Sequence, residues 1–276
     1  MRSQPEGTRA PRAGDPRGLV CAMSDGGLGH GERPAPAAGR RLEDYRTHYT
    51  ADAAAIAGPL ELPAGRRAAE QRRLASLVRL LAPGPGERVL DAGCGSGWLA
   101  SLGAATGAWM CALDLAPQGV AGAKRRFPEL RRLAAGDLYH LPFATGSLDA
   151  VVLSEVLEHL EDIGGALRQV HRVLRPGGRA LVSVPYRERI AYHLCIHCNR
   201  FTPANAHLHS FGPGDLERLL GAAGLRPYAT RLLTNKALER LGVARRTGWL
   251  PQGGWRLLDA VANRLLGHAA YACVLA

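Results

Sequence analysis

Apolar positions recur along the chain with two periods. Between Ala64 and Leu81, Leu74, Leu77, Val78 and Leu81 fall at helical spacing with arginines between them. This predicts a helix that lays its apolar face on a sheet and turns its arginines outward. Pro83-Gly-Pro-Gly86 stops it. Short apolar runs ending in acidic, glycine or proline residues follow: Val89-Leu90, Trp109 to Asp114, Leu130 to Asp137, a turn and strand over Leu141 to Ser154, and Arg179 to Pro185. Helical stretches separate them, opening at Ser96-Gly-Trp98 and running over Ala116 to Phe127 and Ile163 to Leu174. Further on, Asp215 to Ala223 reads as helix, Leu225 to Leu233 as strand, Trp255 to Leu266 as helix and His268 to Ala276 as a closing strand. Strand and helix in alternation predict an α/β fold, Rossmann-like, with helices on both faces of a mostly parallel sheet.

The most informative run is Arg88-Val-Leu-Asp-Ala-Gly-Cys-Gly-Ser-Gly97. A buried strand there enters a turn whose glycines let the main chain bend sharply and approach a ligand closely. Gly93, Gly95 and Gly97 are evenly spaced, unlike the Gly-x-Gly-x-x-Gly of dinucleotide sites. Asp91, at the strand's carboxyl end, suits a cation or hydrogen-bond donors better than a pyrophosphate.

Val-Leu-Asp-Ala-Gly-Cys-Gly-Ser-Gly resembles the first motif of class I S-adenosylmethionine-dependent methyltransferases. Leu141-Pro-Phe, Ser147-Leu-Asp and Glu155-Val-Leu-Glu-His-Leu160, in that order, resemble the large branch of that family acting mainly on small molecules, including ubiquinone and menaquinone pathway enzymes. The resemblance spans residues 88 to 184 and implies a seven-stranded sheet with only the last strand antiparallel. It implies that S-adenosylmethionine is held by Asp91, Ala92, Gly93, Cys94, Gly95 and Gly97, by Asp114 and Leu115, by Asp137 and Leu138, and by Ser154. Asp114 then takes the ribose hydroxyls and Asp137 the adenine amine, with Leu138 against the ring. The first stretch able to fold, Leu42 to Thr50, reads as a short helix continued by Asp52 to Ile56. In relatives such a segment resembles a lid, while ordinary packing explains Tyr45, His48 and Tyr49 equally well.

Methyl transfer asks mainly for alignment and exclusion of water. Where the acceptor arrives protonated a base is needed, and His159 is the first candidate with Glu155 beside it. Glu155, Glu158 and His159 form a Glu-x-x-Glu-His resembling a divalent-metal site of ubiquinone-pathway O-methyltransferases, and a continuous helix would put all three on one face. Cys195-x-x-Cys198 has the bite of a zinc knuckle, which His207 and His209 complete to four ligands. The competing reading makes this segment a substrate-side loop of unligated Cys and His, since His207-Leu-His-Ser-Phe211 resembles the place where related enzymes carry a His before Phe facing the acceptor pocket.

Composition narrows the remainder. The chain has 276 residues, suiting one catalytic domain over 42 to 276 after a disordered leader over 1 to 41, with Met23 an alternative start. Within that domain, 85 to 184 is the core, 186 to 212 a Cys/His-containing insertion and 213 to 276 a C-terminal part. No apolar run is long enough to span a membrane, and six cysteines are too few for a disulfide scaffold, which points to the cytoplasm. Net charge is +11, and from Gly221 onward eight basic residues meet two acidic ones. That excess admits an RNA or protein methyltransferase, but no Asn-Pro-Pro-Tyr-like tetrapeptide follows the fourth strand, few aromatics accompany the charge, and solvated helix faces explain it more simply. The acceptor is therefore expected to be a small or lipid-like molecule. A dinucleotide-dependent oxidoreductase and a non-catalytic cofactor-binding module are the readings of other classes.

Overall fold

A computed structural model describes residues 45, 46, 49, 50, 62–194, 199, 201–212 and 214–276. The expected leader, the alternative start at Met23, the 52–56 helical turn, and Cys195 and Cys198 lie outside the described residues.

The first long helix, α1, covers Ala64–Leu81, as its periodicity predicts. The chain leaves it at Ala82, whose φ of 48° is left-handed, and Pro83 prevents continuation. Then follow β1 (Arg88–Ala92), α2 (Trp98–Ala104), β2 (Trp109–Asp114), α3 (Pro117–Arg126), β3 (Leu133–Ala135), β4 (Leu148–Ser154), α4 (Ile163–Val173) and β5 (Leu174–Pro185). A small hairpin, β6 (Tyr192–Leu194) with β7 (Phe201–Pro203), precedes α5 (Asp215–Ala222) and β8 (Ala229–Asn235). Helices α6 (Lys236–Arg240), α7 (Val243–Arg246) and α8 (Gln252–Leu266) lead into β9 (Ala269–Leu275).

Seven strands form one sheet in the order β3-β2-β1-β4-β5-β9-β8. Only β9 runs antiparallel to its neighbours, as the family resemblance implied. Side chains alternate between two buried faces. Leu90, Val151 and Val182 pack under α4 and α5 with Leu167, Val170 and Leu220. Val89, Val152 and Leu181 pack on the other face with Leu74, Leu77 and Leu81 of α1. Arg73 departs from the expected outward set: it is buried within α1.

Several boundaries move for local reasons. The third strand is shorter than expected because Leu130 closes a turn on Phe127, and pairing with β2 begins only at Leu133. The eighth strand starts late because Arg226-Pro227 intervenes and Tyr228 first reaches back to Leu275. Arg175-Pro-Gly-Gly178, between the expected helix and the expected strand, is carried as an irregularity inside β5, where pairing with β4 skips from Leu174 to Arg179. β1, β2 and β4 all end at the same edge, which places Asp91, Asp114 and Ser154 together at the carboxyl ends of parallel strands. Ligands bind at such an edge in open α/β sheets.

Candidate functional site

The glycine turn is tied to its neighbours at both ends. Gly93 and Cys94 donate their amides to the Leu113 carbonyl at 2.7 and 3.0 Å, and Gly97 closes onto Cys94 at 2.8 Å. Asp114 holds the middle: Oδ2 accepts from the Gly95 amide at 2.7 Å and Oδ1 from Ala116 at 2.9 Å. The three glycines differ in why they are needed. A Cβ on Gly93, at φ 79°, would stand 2.5 Å from Val156 Cγ2, and one on Gly97 would stand 2.9 Å from Ala123 Cβ. At Gly95 a Cβ would meet nothing within 4 Å, so this is the open side of the cradle. Gly93→Ala combines backbone strain with a clash, and is expected to lower unfolding free energy by about 3 kcal/mol. Gly95→Ala suffers only the strain, about 1 kcal/mol. Urea denaturation of both proteins checks that ordering.

Asp91 lies beneath the turn, almost wholly buried, and its Oδ2 has no hydrogen-bond partner among the described residues. Burial, reinforced by the charge of Asp114, pushes its carboxyl up to about 7, while the Ala100 amide pulls the other way. A cationic ligand group brought beside it would relieve that cost. Ala92 is fully buried, and Cys94 is a small buried residue whose thiol burial drives far from ionisation. Leu115 continues from Asp114 at the rim, partly buried. Ser154 is drawn elsewhere: its hydroxyl accepts from Arg73 at 3.0 Å.

Asp137 caps the short helical turn Leu138–His140 by accepting from the Tyr139 amide at 2.9 Å. It also receives the Tyr45 hydroxyl at 2.5 Å and the Arg46 guanidinium at 3.1 Å. Burial raises its carboxyl, but these bonds outweigh burial and hold it below the usual carboxylate range. The Tyr45 ring meets Tyr139 edge-on at 5.4 Å, and the Tyr49 hydroxyl donates to the His159 carbonyl. Helical residues of the N-terminal segment thus lie across this edge of the sheet, and Asp137, expected to face an adenine amine, is engaged by two of them.

The expectation of Glu155, Glu158 and His159 on one helical face is corrected. Glu155 has φ 58°, and only Leu157–His159 form a single tight turn. Glu155 instead faces Arg73 at 3.7 Å and Ser183 at 3.5 Å. Burial and the neighbouring Glu158 charge raise its pKa well above the ordinary value, although Arg73 pulls it down. Glu158 is wholly buried, and neither carboxylate oxygen has a hydrogen-bond partner among the described residues. Burial pushes it up to about 8, with Arg73 opposing and Glu188 reinforcing the shift.

His207, not Glu155, joins Glu158 and His159: their ligand-capable atoms lie within 4.8 Å of one another. The His159 and His207 rings meet edge-on at 4.8 Å, and His207 Nδ1 contacts the Glu188 carboxylate. His209 turns away, its Nε2 bonded to the Leu160 carbonyl at 2.8 Å. Two of the four residues expected to hold zinc are therefore committed to different partners. Beside the cluster a cleft of about 630 Å³ is lined by Glu155, Glu188, His207, Tyr271, Lys236 and Arg240. Arg73 and Glu188 had gone unnoticed in the sequence. Arg73 had one readable signal, Glu70 a helical turn before it, while nothing marked Glu188.

A family model described as a methyltransferase domain matches residues 66–230. The chain belongs to this methyltransferase family. Its class I fold agrees with the match. A probable S-adenosylmethionine-dependent methyltransferase of Mycolicibacterium smegmatis is 37% identical over 140 residues, covering 50% of this chain and 52% of the relative. A malonyl-[acyl-carrier protein] O-methyltransferase of Dechloromonas aromatica is 31% identical over 215 residues, covering 70% of this chain and 77% of that protein. The chain spans about half the length of several other curated relatives it matches. Among solved structures, a geranyl diphosphate methyltransferase in complex with S-adenosylmethionine shares the fold at 22% identity and a TM-score of 0.55, covering 75% of this chain and 84% of that one.

The residues of this methyltransferase domain fit the family's cofactor. An unpartnered buried carboxylate at Asp91, an open cradle at Gly95 and a fixed acid at Asp114 together offer a cation-binding group, close backbone approach and hydrogen-bond acceptors.

Proposed function

We propose that the protein transfers a methyl group from S-adenosylmethionine to a small or lipid-like acceptor. The observation that carries this reading is Asp91, buried without a partner for Oδ2 beneath a glycine turn that Asp114 holds open. S-adenosylmethionine supplies a methyl group activated by its sulfonium. The chain's part is to bind and align: Asp91 meets the positive charge, Gly93 to Gly97 allow close approach, and Asp114 accepts from hydroxyls. Asp137 and Leu138 bound the far end, and Tyr45, Arg46 and Tyr49 close over it. We read residues 42–276 as one domain, and its compartment as the cytoplasm, in keeping with free thiols at Cys94, Cys111 and Cys273. No described helix is long and apolar enough to cross a membrane.

The acceptor occupies the cleft beside Glu155 and His207. His207 is better placed as base than His159, because Nδ1 toward Glu188 leaves Nε2 as the proton acceptor. Burial raises Glu155 and Glu158 and favours their protonated forms, which makes them poorer bases than His207. Glu158, His159 and His207 could also take a divalent ion. Zinc at Cys195, Cys198, His207 and His209 has less support, given the partner of His209.

Radiolabelled methyl transfer into cell extract, separated into lipid, small-molecule, RNA and protein pools, tests the reading. Label is expected in the lipid or small-molecule pool. His207→Gln is expected to lower kcat about a hundredfold with S-adenosylhomocysteine binding unchanged. Label confined to RNA or protein, or a variant as active as the parent, overturns the assignment.

A further inference from the structure

The C-terminal part leaves an apolar surface uncovered within a positive field. In α8, Trp255, Asp259 and Ala262 face inward. On the opposite side Leu257, Val261 and Leu265 recur every four residues and are 67%, 45% and 75% exposed. Just before α8, Trp249 is 79% exposed, although the backbone around it is fixed. Arg72 donates to the carbonyls of Thr247, Gly248 and Leu250 at 3.0, 3.3 and 2.8 Å. Leu241, between α6 and α7, is exposed as well. The indole is thus held outward by a rigid turn, an orientation that burial within this chain does not explain.

The charge of the region indicates what covers it. Arg240, Arg245, Arg246 and Arg264 are exposed, and none is paired with a carboxylate among the described residues. From Gly221 onward there are two acids, and Asp259 is buried with its oxygens on the amides of Thr234 and Asn235 at 2.8 and 2.7 Å. That leaves Glu239 as the one acid near the surface. A second copy docking through the same patch would set arginines against arginines. Nucleic acid would satisfy the arginines but leave the leucines and Trp249 in water. An anionic bilayer satisfies both, because Trp and Leu settle at the headgroup boundary while arginines reach lipid phosphates and carboxylates.

We infer that the exposed side of α8, with Leu257, Val261, Leu265 and Arg264, together with Trp249 and the arginines of the adjoining α6 and α7, is a docking surface for an anionic lipid bilayer. The inference stands independently of methyl transfer. It gains a consequence from that reading, because Arg240 and Lys236 also line the candidate acceptor cleft. An acceptor dissolved in the membrane would enter at the edge of the docked face.

The test is flotation of the full chain with vesicles of phosphatidylcholine alone or with about a third phosphatidylserine, at low and high salt. Binding is expected to be at least about tenfold tighter with phosphatidylserine and to weaken in high salt. Two surface variants, Trp249→Ser with Leu265→Ser and Arg245→Glu with Arg246→Glu, should each lose about tenfold while S-adenosylhomocysteine binding is unchanged. Equal binding to both vesicle types, or none, overturns the inference. So does phosphatidylserine binding that the Trp249/Leu265 variant retains, which would mean charge alone. So does a concentration-dependent dimer, without vesicle binding, that the same variant dissociates.

Discussion

Asp114→Ala is expected to weaken S-adenosylhomocysteine binding by at least about a hundredfold, corresponding to roughly 3 kcal/mol. The carboxylate acts twice. It fixes the Gly95 and Ala116 amides by bonds of 2.7 and 2.9 Å, so without it the turn loses the anchor that keeps its open side facing the ligand. In the proposed cofactor site it would also present oxygens to the ligand, and bonds to a charged group are worth about 1.5 to 3 kcal/mol each. Asp114→Asn, retaining shape and one acceptor, should fall in between.

A second measurement separates Asp91 from Asp114. Asp91 stands near 7 in the free protein through burial and the neighbouring Asp114 charge. A bound cation favours its ionised form, so S-adenosylmethionine binding should tighten between about pH 6 and 8, by up to about tenfold per unit below the free pKa. In Asp114→Ala the repulsion is gone, and the midpoint of that dependence should move down. In Asp91→Asn the dependence should flatten. Calorimetry across this range tests all three proteins. A hundredfold loss absent in Asp114→Ala, or a pH slope that survives in Asp91→Asn, would overturn this account of the cradle.

How much of this was legible in the sequence depends on whether a signal was local. The helix over Ala64–Leu81 was readable because its apolar spacing and the following Pro83 lie within one stretch. The strands carrying Asp91, Asp114 and Ser154 at their carboxyl ends were readable because largely buried parallel strands appear as short apolar runs. Helices α6 and α7 were not: each is about one turn long, Gly242 separates them, and Leu238, Val243 and Ala244 gain their burial from distant Trp255 and Ala69. The β6–β7 hairpin was missed because each strand is only three residues long, Tyr192–Leu194 and Phe201–Pro203, too short for an alternating pattern to stand out. At the site the same division holds. Glycines and acids of the cradle adjoin in sequence, whereas the cluster of Glu158, His159 and His207 joins residues almost fifty positions apart. Glu155 was misplaced because its positive φ, which a non-glycine residue seldom adopts, breaks the helix its spacing suggests. Such strain at the end of a central strand is common where a side chain must be aimed at a ligand.

Arg73→Met is expected to be the most destabilising single change, costing about 3 to 5 kcal/mol, because it removes the cation from a buried group of acids while keeping most of the side-chain volume. Arg73 bonds Glu70 at 2.6 and 2.8 Å and Ser154 at 3.0 Å, lies 3.7 Å from Glu155, and stacks 4.6 Å from the Tyr271 ring. Burial opposes its charge, but Glu70, then Glu155, more than offset this and hold its pKa above the ordinary value. The loss should depend on pH. Glu155 and Glu158 have folded pKa values above their unfolded ones, so their protons favour the folded state. That stability is complete below the unfolded value near 4 and declines as pH rises, for Glu158 through about 8. Arg73 lowers both, so in the variant the decline should extend further up the pH scale. At pH 5, well below the value of about 8 for Glu158, the loss in the variant is chiefly that of the Glu70 and Ser154 bonds and the ring contact. At pH 9 it must in addition keep two carboxyls buried without their cation. The gap between variant and parent in urea midpoint should therefore be wider at pH 9 than at pH 5. A loss below about 1 kcal/mol at pH 9, or the same loss at both pH values, would mean that Arg73 does not hold these acids.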